Sequence, residues 1–307
     1  MYCKTNFLTT LTGVDIMKIM ILTDLEGPAG VNGRSDGIGN TMLNRPTADL
    51  ALVNEVNAVC RGLVAAGADE IVVMDGHGGS NSIDIFKLHP KASLMQVGDW
   101  SPMVILDGSY DAFIQLGCHA MQSSGAYMCH TFNSHGVAEM RFNGEQIGEI
   151  GISSLAAAYF NVPTIMVSGD DAACHEARAF LGDGLEVVPT KASINRYSTV
   201  NYPVEEVYRN LEAAAERALR NLDKAVCPQL PEHCELIVRM MCPNHANGPE
   251  RLGIERLDEV TLRYKDDDFM EVWAQRNGWA PGVHKRKFNM NPNWLHPYTL
   301  ARSAFKD

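Results

Sequence analysis

Residues 19–28 read IMILTDLEGP, an apolar run that passes directly into two carboxylates and a Gly-Pro turn. Four consecutive apolar residues predict a strand buried on both faces, and the Gly-Pro pair ends it. Similar apolar runs at 70–74, 111–116 and 164–167 alternate with helical patterns. This alternation predicts an α/β fold: a mostly parallel central sheet with helices on both faces and an active site at the carboxyl ends of the strands.

The helices are predicted from apolar spacing and from the residues at their ends. Pro46 opens a helix that runs to about Ala66. A second helix is predicted over about 146–160, and Asp171 is the predicted N-cap of a third. The remaining predictions are a loop at 30–44, no clear pattern at 121–145, a helix at 203–222, strands at 235–241 and 259–264, and a helix at 266–276.

The length of 307 residues suits one large α/β domain or two smaller ones. We predict an α/β domain over residues 17–280, preceded by an N-terminal extension at 1–16. A C-terminal tail is predicted at 281–307, where prolines, basic residues and a tryptophan change the composition. The pattern leaves open a smaller C-terminal subdomain that starts at about residue 200.

Composition argues against several classes of function. The formal net charge is −11 and no basic stripe appears, so we expect no nucleic-acid partner. No run approaches the ~18 apolar residues that span a bilayer, so we expect no membrane partner. The eight cysteines are scattered without a CxxC pair, which predicts free, mostly buried thiols and a cytoplasmic location.

Five potential metal ligands lie near the ends of predicted strands or at the start of a helix. Asp24 and Glu26 follow the first strand, and two residues apart in extended chain they face the same side. His77 and His119 each follow a later strand, and the carboxyl ends of parallel strands share one edge of the sheet. Glu149 falls in the first turn of a helix, where the helix dipole favours its ionised form.

Carboxylates combined with imidazoles form a zinc-type hydrolytic set rather than a redox or thiolate set. A single catalytic zinc normally takes three protein ligands and a water, so five ligands fit a two-metal site better. Two metals about 3.5–4 Å apart can share a hydroxide and polarise a carbonyl together. Asp24 is the expected bridge, because Glu26 and His77 are its near neighbours on one side.

Each of the five residues also has a simpler explanation when it is taken alone. Asp24 and Glu26 could form a turn, and His119 could be a half-buried structural histidine. His77 could be a structural donor or a phosphate contact, and Glu149 an ordinary acid at a helix N-terminus. Their common position at strand ends and a helix start favours a joint metal site.

Other residues are candidates for supporting roles. His130 is the predicted catalytic residue, as a general acid or base or as a group that orients the water or the carbonyl; the alternative is an ordinary loop histidine. Asp75 is a candidate acceptor that orients His77. Asp170 and Asp171 either bind a cation or form a strand-end turn and a helix cap, which is the simpler account.

These motifs resemble the M55 peptidase family, the zinc-dependent D-aminopeptidases, over most of the chain from about residue 17 to about residue 276. The resemblance rests on five motifs in order and at similar spacing. They are DLEG at 24–27, DGH at 75–77, GCHA at 117–120, GEIG at 148–151 and VSGDD at 167–171. The segments before residue 17 and after about residue 281 have no counterpart in the family. The stretch between His130 and Glu149 is one residue longer than in the family.

The resemblance implies more than the pattern does. It implies that the five predicted ligands hold two zinc ions and that His130 matches the histidine proposed to act in catalysis. It implies cleavage of the amino-terminal residue from short peptides of D-amino acids, such as D-Ala-D-Ala. It also implies a ring-like homo-oligomer, a decamer, that encloses its active sites.

Two rival functions remain open at this point. The first is a di-metal hydrolase that acts on another amide or ester of a small molecule, or on a phosphoester. The second is a non-catalytic protein that binds small peptides or metal on the same fold. The intact set of five ligands argues against the second, because a pure binder has no need of a water-bearing two-metal centre.

Overall fold

The structure is a computed structural model that describes residues 16–35, 40–42, 44–78, 81–96 and 106–282. The predicted extension at 1–16 and the predicted tail at 281–307 fall almost entirely outside the described residues. Both segments therefore stay predictions.

The chain forms two compact units. Unit 1 contains the chain up to His130 and then Gly148–Gln229; unit 2 contains Thr131–Ile147 and the chain from Leu230 onwards. In chain order the strands and helices are β1 (Lys18–Thr23), β2 (Gly33–Ser35), β3 (Asn40–Met42), α1 (Arg45–Ala66), β4 (Glu70–Asp75), β5 (Ala92–Gln96), β6 (Ala112–Cys118), β7 (Val137–Phe142), β8 (Glu145–Gln146), α2 (Glu149–Tyr159), β9 (Thr164–Asp170), α3 (Asp171–Leu181), β10 (Glu186–Asn195), β11 (Ser198–Asn201), α4 (Val204–Arg220), β12 (Cys234–Met240), α5 (Pro243–Arg251), β13 (Glu255–Arg256), β14 (Thr261–Asp266) and α6 (Phe269–Asn277).

Unit 1 is built on a seven-stranded sheet in the order β11-β10-β9-β6-β1-β4-β5. Its neighbours are parallel except for the β10–β11 pair, which is antiparallel. The predicted mostly parallel sheet is therefore confirmed. Thr23 at the end of β1 pairs with Asp75 of β4 and with Leu116 of β6, so the carboxyl ends of these three strands lie level.

Helices cover both faces of this sheet, as predicted. Ile19 and Ile21 of β1 pack in the core that contains Leu52 of α1 and Leu211 of α4. Met20, which lies between them, packs in a separate core with Ala157 of α2. Alternate residues of one central strand thus bury against different helices, because successive side chains of a strand point to opposite faces.

The ends of the helices follow their local chemistry, with two corrections to the predictions. α1 begins at Arg45 with a proline in its first turn, as its prediction requires. α2 begins at Glu149 instead of Gln146, because Gln146 belongs to β8 and pairs there with Arg141 of β7. The N-cap of α3 is Asp170, whose carboxylate accepts the N–H of Ala173, so the predicted cap one residue later is wrong.

Unit 2 contains a five-stranded antiparallel sheet in the order β13-β14-β12-β7-β8. The strands predicted at 235–241 and 259–264 and the helix at 266–276 are present with shifted ends. β7 lies in the segment that had no clear pattern. α5 was not predicted, because Pro249 lies inside it and its sequence favours a loop.

Three further predictions can be compared with the structure: the loop at 30–44, the free cysteines and the absence of a membrane-spanning helix. The predicted loop at 30–44 contains the short antiparallel pair β2–β3. The seven cysteines among the described residues are free thiols, as predicted. No described helix is long and apolar enough to cross a membrane.

Candidate metal centre

The five predicted ligands lie together at the carboxyl edge of the sheet in unit 1. Asp24 comes directly after β1 and His119 directly after β6. His77 follows β4, and Glu149 is the first residue of α2. Glu26 lies in the loop between β1 and β2. The level ends of β1, β4 and β6 bring four of these residues into one cluster, and the first turn of α2 adds Glu149.

Two glycines of the motifs allow the strand ends to approach this closely. A Cβ atom on Gly27 would lie 2.2 Å from the carbonyl oxygen of Cys118. Gly117 has a φ of +78°, and a Cβ there would lie 2.3 Å from the carbonyl oxygen of Asp24. The N–H of Gly27 donates to the Gly117 carbonyl at 2.8 Å. The glycines of DLEG and GCHA therefore serve one close backbone contact beside the cluster.

Asp24 lies between the two predicted histidine ligands, with one carboxylate oxygen towards each. Its Oδ1 is 3.0 Å from His77 Nδ1, and its Oδ2 is 3.3 Å from His119 Nε2. Glu26 Oε2 lies 3.1 Å from the same His77 nitrogen. Glu149 Oε1 lies 3.3 Å from the same His119 nitrogen. The cluster therefore has two halves that meet at Asp24.

Each half has the geometry of a three-residue metal site. One ligand atom from each of Asp24, Glu26 and His77 can lie within 4.8 Å of the other two, and the same holds for Asp24, His119 and Glu149. Glu26 and His119 also form such a group with His130. Mixed carboxylate and imidazole donors are the set that a hydrolytic zinc uses.

The residues fit a cation in two further respects. The Glu26 side chain is 1% exposed, and its Oε2 shares His77 Nδ1, at 3.1 Å, with Asp24 Oδ1, at 3.0 Å. Two carboxylate oxygens that share one imidazole nitrogen need further positive charge, which a cation supplies. His119 Nδ1 lies 3.0 Å from the carbonyl oxygen of Ala120, to which it donates, so Nε2 is the nitrogen that faces the cluster.

The cluster is electrostatically coupled. Burial and the neighbouring Glu26 carboxylate raise the pKa of Asp24 to about 7. Burial disfavours the charged form of His77, but Glu26 and Asp24 outweigh it and raise the pKa of His77 to about 11. Burial likewise disfavours the Glu26 carboxylate, yet His77 and His119 hold its pKa well below the ordinary value. The charge of the carboxylates is thus balanced by protonated His77, where a metal would supply the positive charge instead.

His130 lies against the cluster rather than inside one of its halves. Its ring stacks on the ring of His119, with centroids 3.8 Å apart and planes inclined by 15°. Nδ1 donates to the Met128 carbonyl at 2.9 Å, which directs Nε2 towards Glu26 Oε1 at 3.9 Å and Glu149 Oε1 at 3.8 Å. Burial and then the charge of His119 lower the pKa of His130.

One side of the cluster is accessible. The side chains of Asp24, His77 and Glu149 are 21%, 20% and 27% exposed. Those of Glu26 and His119 are 1% and 2% exposed. A small molecule can therefore approach the cluster from the side formed by the first three residues, while the other two form its buried floor.

The remaining predicted residues have structural contacts. Asp75 Oδ2 accepts the N–H of Ser82 at 2.6 Å and that of Ile83 at 3.1 Å, so it holds the chain that follows the His77 loop. Asp170 caps α3, and Asp171 Oδ1 accepts the N–H of Ser193 at 2.8 Å. These contacts favour the cap and turn account over a cation site for the two aspartates.

Sequence reasoning did not single out three buried polar residues near the cluster. Glu55, Thr190 and Lys191 are each 0% exposed. A signal for Glu55 was available, because helical spacing places it on the buried face of α1 between Leu52 and Val59. Thr190 and Lys191 lie in β10, where the sequence alone gives no reason to expect that a lysine is buried.

Comparison with known proteins identifies the family of the chain. The model of the M55 peptidase family, described as D-aminopeptidase, matches residues 17–277. The chain belongs to the M55 peptidase family. This M55 peptidase is 30% identical over 262 residues to the D-aminopeptidase of Bacillus subtilis strain 168, which covers 84% of the chain and 94% of that protein.

A solved structure is similar to this M55 peptidase along the whole fold. It is described as the Zn-dependent D-aminopeptidase DppA from Bacillus subtilis, a self-compartmentalizing protease. The TM-score is 0.78 and the identity 26%, over 91% of this chain and 100% of that chain. The predicted family and fold are therefore confirmed, and this M55 peptidase is a metallopeptidase of a zinc-dependent D-aminopeptidase family.

Proposed function

We propose that this M55 peptidase removes the amino-terminal residue from short peptides of D-amino acids, such as D-Ala-D-Ala, with two zinc ions in the cluster. The observation that carries the proposal is the position of Asp24, which belongs to both three-residue groups. Its two oxygens lie near different histidines, which supports a bridging role. One zinc would be held by Asp24, Glu26 and His77, and the other by Asp24, His119 and Glu149.

Zinc, when bound, supplies Lewis-acid polarisation of the scissile carbonyl and lowers the pKa of a water molecule. His130 Nε2 takes a proton from the attacking water and returns it to the amine that leaves. The hydrogen bond from Nδ1 to the Met128 carbonyl keeps the proton of the neutral ring on Nδ1, so Nε2 is the atom that accepts. Stacking on His119 holds the ring in place.

The substrate class rests on the relatives rather than on the cluster. The curated and solved relatives are both described as D-aminopeptidases. Nothing among the ligand residues reads the configuration at a substrate Cα atom, so the D preference is carried over from those descriptions. The partial exposure of the Asp24, His77 and Glu149 side chains is consistent with a small peptide as substrate.

The assembly is proposed on the same basis. The solved relative is described as a self-compartmentalizing protease, which supports a closed homo-oligomer for this chain as well. We propose a ring-like decamer that works in the cytoplasm. Light scattering coupled to size exclusion measures the subunit count, and a monomer at assay concentration would contradict this part of the proposal.

Zinc content and activity on one preparation test the central claim. Elemental analysis is expected to give about two zinc ions per chain, in line with a two-metal site. The same sample is expected to release D-Ala from D-Ala-D-Ala faster than L-Ala from L-Ala-L-Ala. Zinc without cleavage of either dipeptide would redirect the function to another amide or ester of a small molecule. A protein that neither retains zinc nor gains activity when zinc is added would rule the proposal out.

A further inference from the structure

The loop that carries Glu26 is irregular but buried. Between β1 and β2 the chain forms no helix or strand, and we call residues 26–33, which end at the first residue of β2, the Glu26 loop. Glu26 through Ala29, Val31 and Gly33 are buried. Buried backbone N–H and C=O groups outside regular structure need hydrogen-bond partners from elsewhere in the chain. The identity of those partners shows what holds a predicted zinc ligand in place.

Two adjacent residues of β10 supply partners for three carbonyls of the Glu26 loop. Lys191 Nζ donates to the carbonyl of Glu26 at 2.9 Å and to that of Val31 at 3.1 Å. The Thr190 hydroxyl faces the carbonyls of Gly27 and Gly169, and its single proton serves the shorter contact, the one to Gly27. The lysine therefore spans the loop from its first residue to its sixth, and the threonine holds the residue next to the ligand.

A register shift in β10, a β-bulge or a similar irregularity, lies where both neighbours reach the same loop. Successive side chains of a regular strand point to opposite faces, so adjacent residues do not normally contact one segment. The pairing of β10 with β9 shifts register between Pro189 and Lys191. Bulges of this kind re-aim a side chain and occur next to active sites. The irregularity of β10 thus coincides with the residues that contact the Glu26 loop.

Burial of Lys191 beside the Glu26 loop has a large desolvation cost. It is 0% exposed, and an ammonium group removed from water requires compensation by charges and hydrogen bonds. Compensation comes from the two carbonyls, from the Tyr127 ring with its centroid 5.2 Å from Nζ, and from the nearby carboxyl groups of Glu55 and Asp170. A buried polar group held by so many partners favours one defined geometry of the loop.

The rest of the Glu26 loop is held in the same manner. Glu55 Oε1 accepts the N–H of Ala29 at 2.7 Å, and the hydroxyl of Tyr127 accepts the N–H of Gly33 at 2.7 Å. Metal coordination tolerates displacements of only about 0.2 Å in ligand distance. A change in the backbone at Glu26 would move its carboxylate relative to His77, which lies 3.1 Å from it.

We infer that Thr190 and Lys191 are positioning residues that hold the Glu26 loop in the geometry required for zinc binding. The inference rests on the proposed function, because it takes Glu26 as a zinc ligand. Both side chains bond to the backbone of the loop, and the Lys191 charge also acts on the Glu26 carboxylate. Glu55 lies near the Lys191 ammonium group and holds the same loop at Ala29.

Zinc affinity of the purified protein tests this inference directly. The variants Lys191→Met and Thr190→Val remove the donors and keep similar shapes. Competition with a chromophoric chelator is expected to give zinc binding weaker by about 10- to 100-fold, the usual effect of losing a partner that orients a ligand. Thr190→Ser keeps the hydroxyl and is expected to retain wild-type affinity.

Two controls separate positioning from general stability. Thr164→Val removes a buried hydrogen bond to Ser154 at the amino end of β9, away from the Glu26 loop, and is expected to leave zinc affinity unchanged. The double variant Lys191→Met with Glu55→Gln leaves no ionisable group at either position. Above about pH 8, where Glu55 ionises, it is expected to recover thermal stability relative to Lys191→Met but not zinc affinity. At saturating zinc, kcat of the Thr190→Val variant is expected to recover towards the wild-type value.

The outcomes distinguish this inference from the proposed function. Folded Thr190→Val and double-variant proteins with wild-type zinc affinity would overturn the inference, even if Lys191→Met alone fails to fold. Equal loss of affinity in Thr164→Val would also overturn it, because stability alone would then explain the effect. If Glu26→Gln keeps wild-type zinc affinity, the ligand assignment in the proposed function fails first, and the inference falls with it.

Discussion

Unit 1 and unit 2 place their charged residues differently. Among the described residues, every buried carboxylate, histidine and lysine belongs to unit 1. They are Glu26, Glu55, Asp75, His119, His130, Asp170 and Lys191. Unit 2 instead pairs its charges at accessible positions, such as Arg256 with Glu250 at 2.8 Å and Arg263 with Glu235 at 3.1 Å.

The difference shows that the desolvation cost of buried charged groups falls in unit 1. A charge taken out of water is costly unless it is paired and hydrogen-bonded, whereas a surface ion pair contributes about 0–1 kcal/mol. Unit 1 concentrates buried charge at the carboxyl edge of its parallel sheet, around Asp24. Substitutions in the two units should therefore differ strongly in effect, and four predictions test that contrast.

The largest effect is expected for Asp24→Ala. Asp24 belongs to both three-residue groups, so its loss should weaken both zinc sites. Loss of a residue that only orients a metal ligand costs up to about 100-fold in activity, and we expect a larger loss for Asp24→Ala. Elemental analysis and dipeptide cleavage measure the two quantities. Retention of the wild-type zinc content would contradict the bridging role of Asp24.

His130→Ala should separate chemistry from metal binding. We expect zinc content to stay at the wild-type level while kcat falls by about 10²- to 10⁴-fold, the usual contribution of a general acid or base. His130 contacts both carboxylates only at 3.8–3.9 Å, which is why its loss should spare the metal. Full activity in the variant would remove His130 from the mechanism.

Glu55→Gln should change the pH dependence of stability. Burial raises the pKa of Glu55 from 4.5 to about 8 in the folded protein, so the folded state binds a proton that the unfolded state releases. The contribution of Glu55 to stability is present below pH 4.5 and is lost as pH rises towards 8. The variant should therefore melt at a progressively higher temperature than the wild type across this window, and the difference should be constant above it.

A constant melting difference between the two proteins from acid to alkaline pH would count against a buried, protonated Glu55. The comparison is made on metal-free protein, so that zinc binding does not contribute to the melting temperature.

The smallest effect is expected for Glu250→Gln in unit 2. It breaks an ion pair whose glutamate side chain is 51% exposed, so the free energy of unfolding should change by less than about 1 kcal/mol. Zinc content and kcat should not change. Denaturant unfolding measures the first quantity, and a loss comparable with that of the unit 1 variants would remove the contrast between the units.

Local signals in the sequence were sufficient for the parallel sheet and for the residues of the cluster. The apolar run before Asp24 predicts a buried strand, and His119 follows another such run. The carboxyl ends of neighbouring parallel strands lie at one edge of the sheet, so the sequence alone groups these residues. The grouping succeeded because both signals, apolar runs and strand-end position, depend only on near neighbours in sequence.

Local signals failed where distant segments decide the outcome. The helix cap at Asp170 instead of Asp171 depends on which carboxylate reaches Ala173 and which reaches Ser193 of β10. α5 contains Pro249, so its helix forms against the local preference of its sequence. In both cases tertiary contacts override a weak local propensity.

By itself the amino-acid sequence determined the fold class, the family and the candidate ligands, because apolar periodicity and short motifs are local properties. Only the tertiary structure decided that Asp24 stands between two three-residue groups and that Lys191 contacts the backbone of the Glu26 loop. Lys191 and Glu26 are 165 residues apart in the chain, so no pattern of neighbouring residues could pair them. Their contact exists because parallel strands from distant segments end at one edge of one sheet.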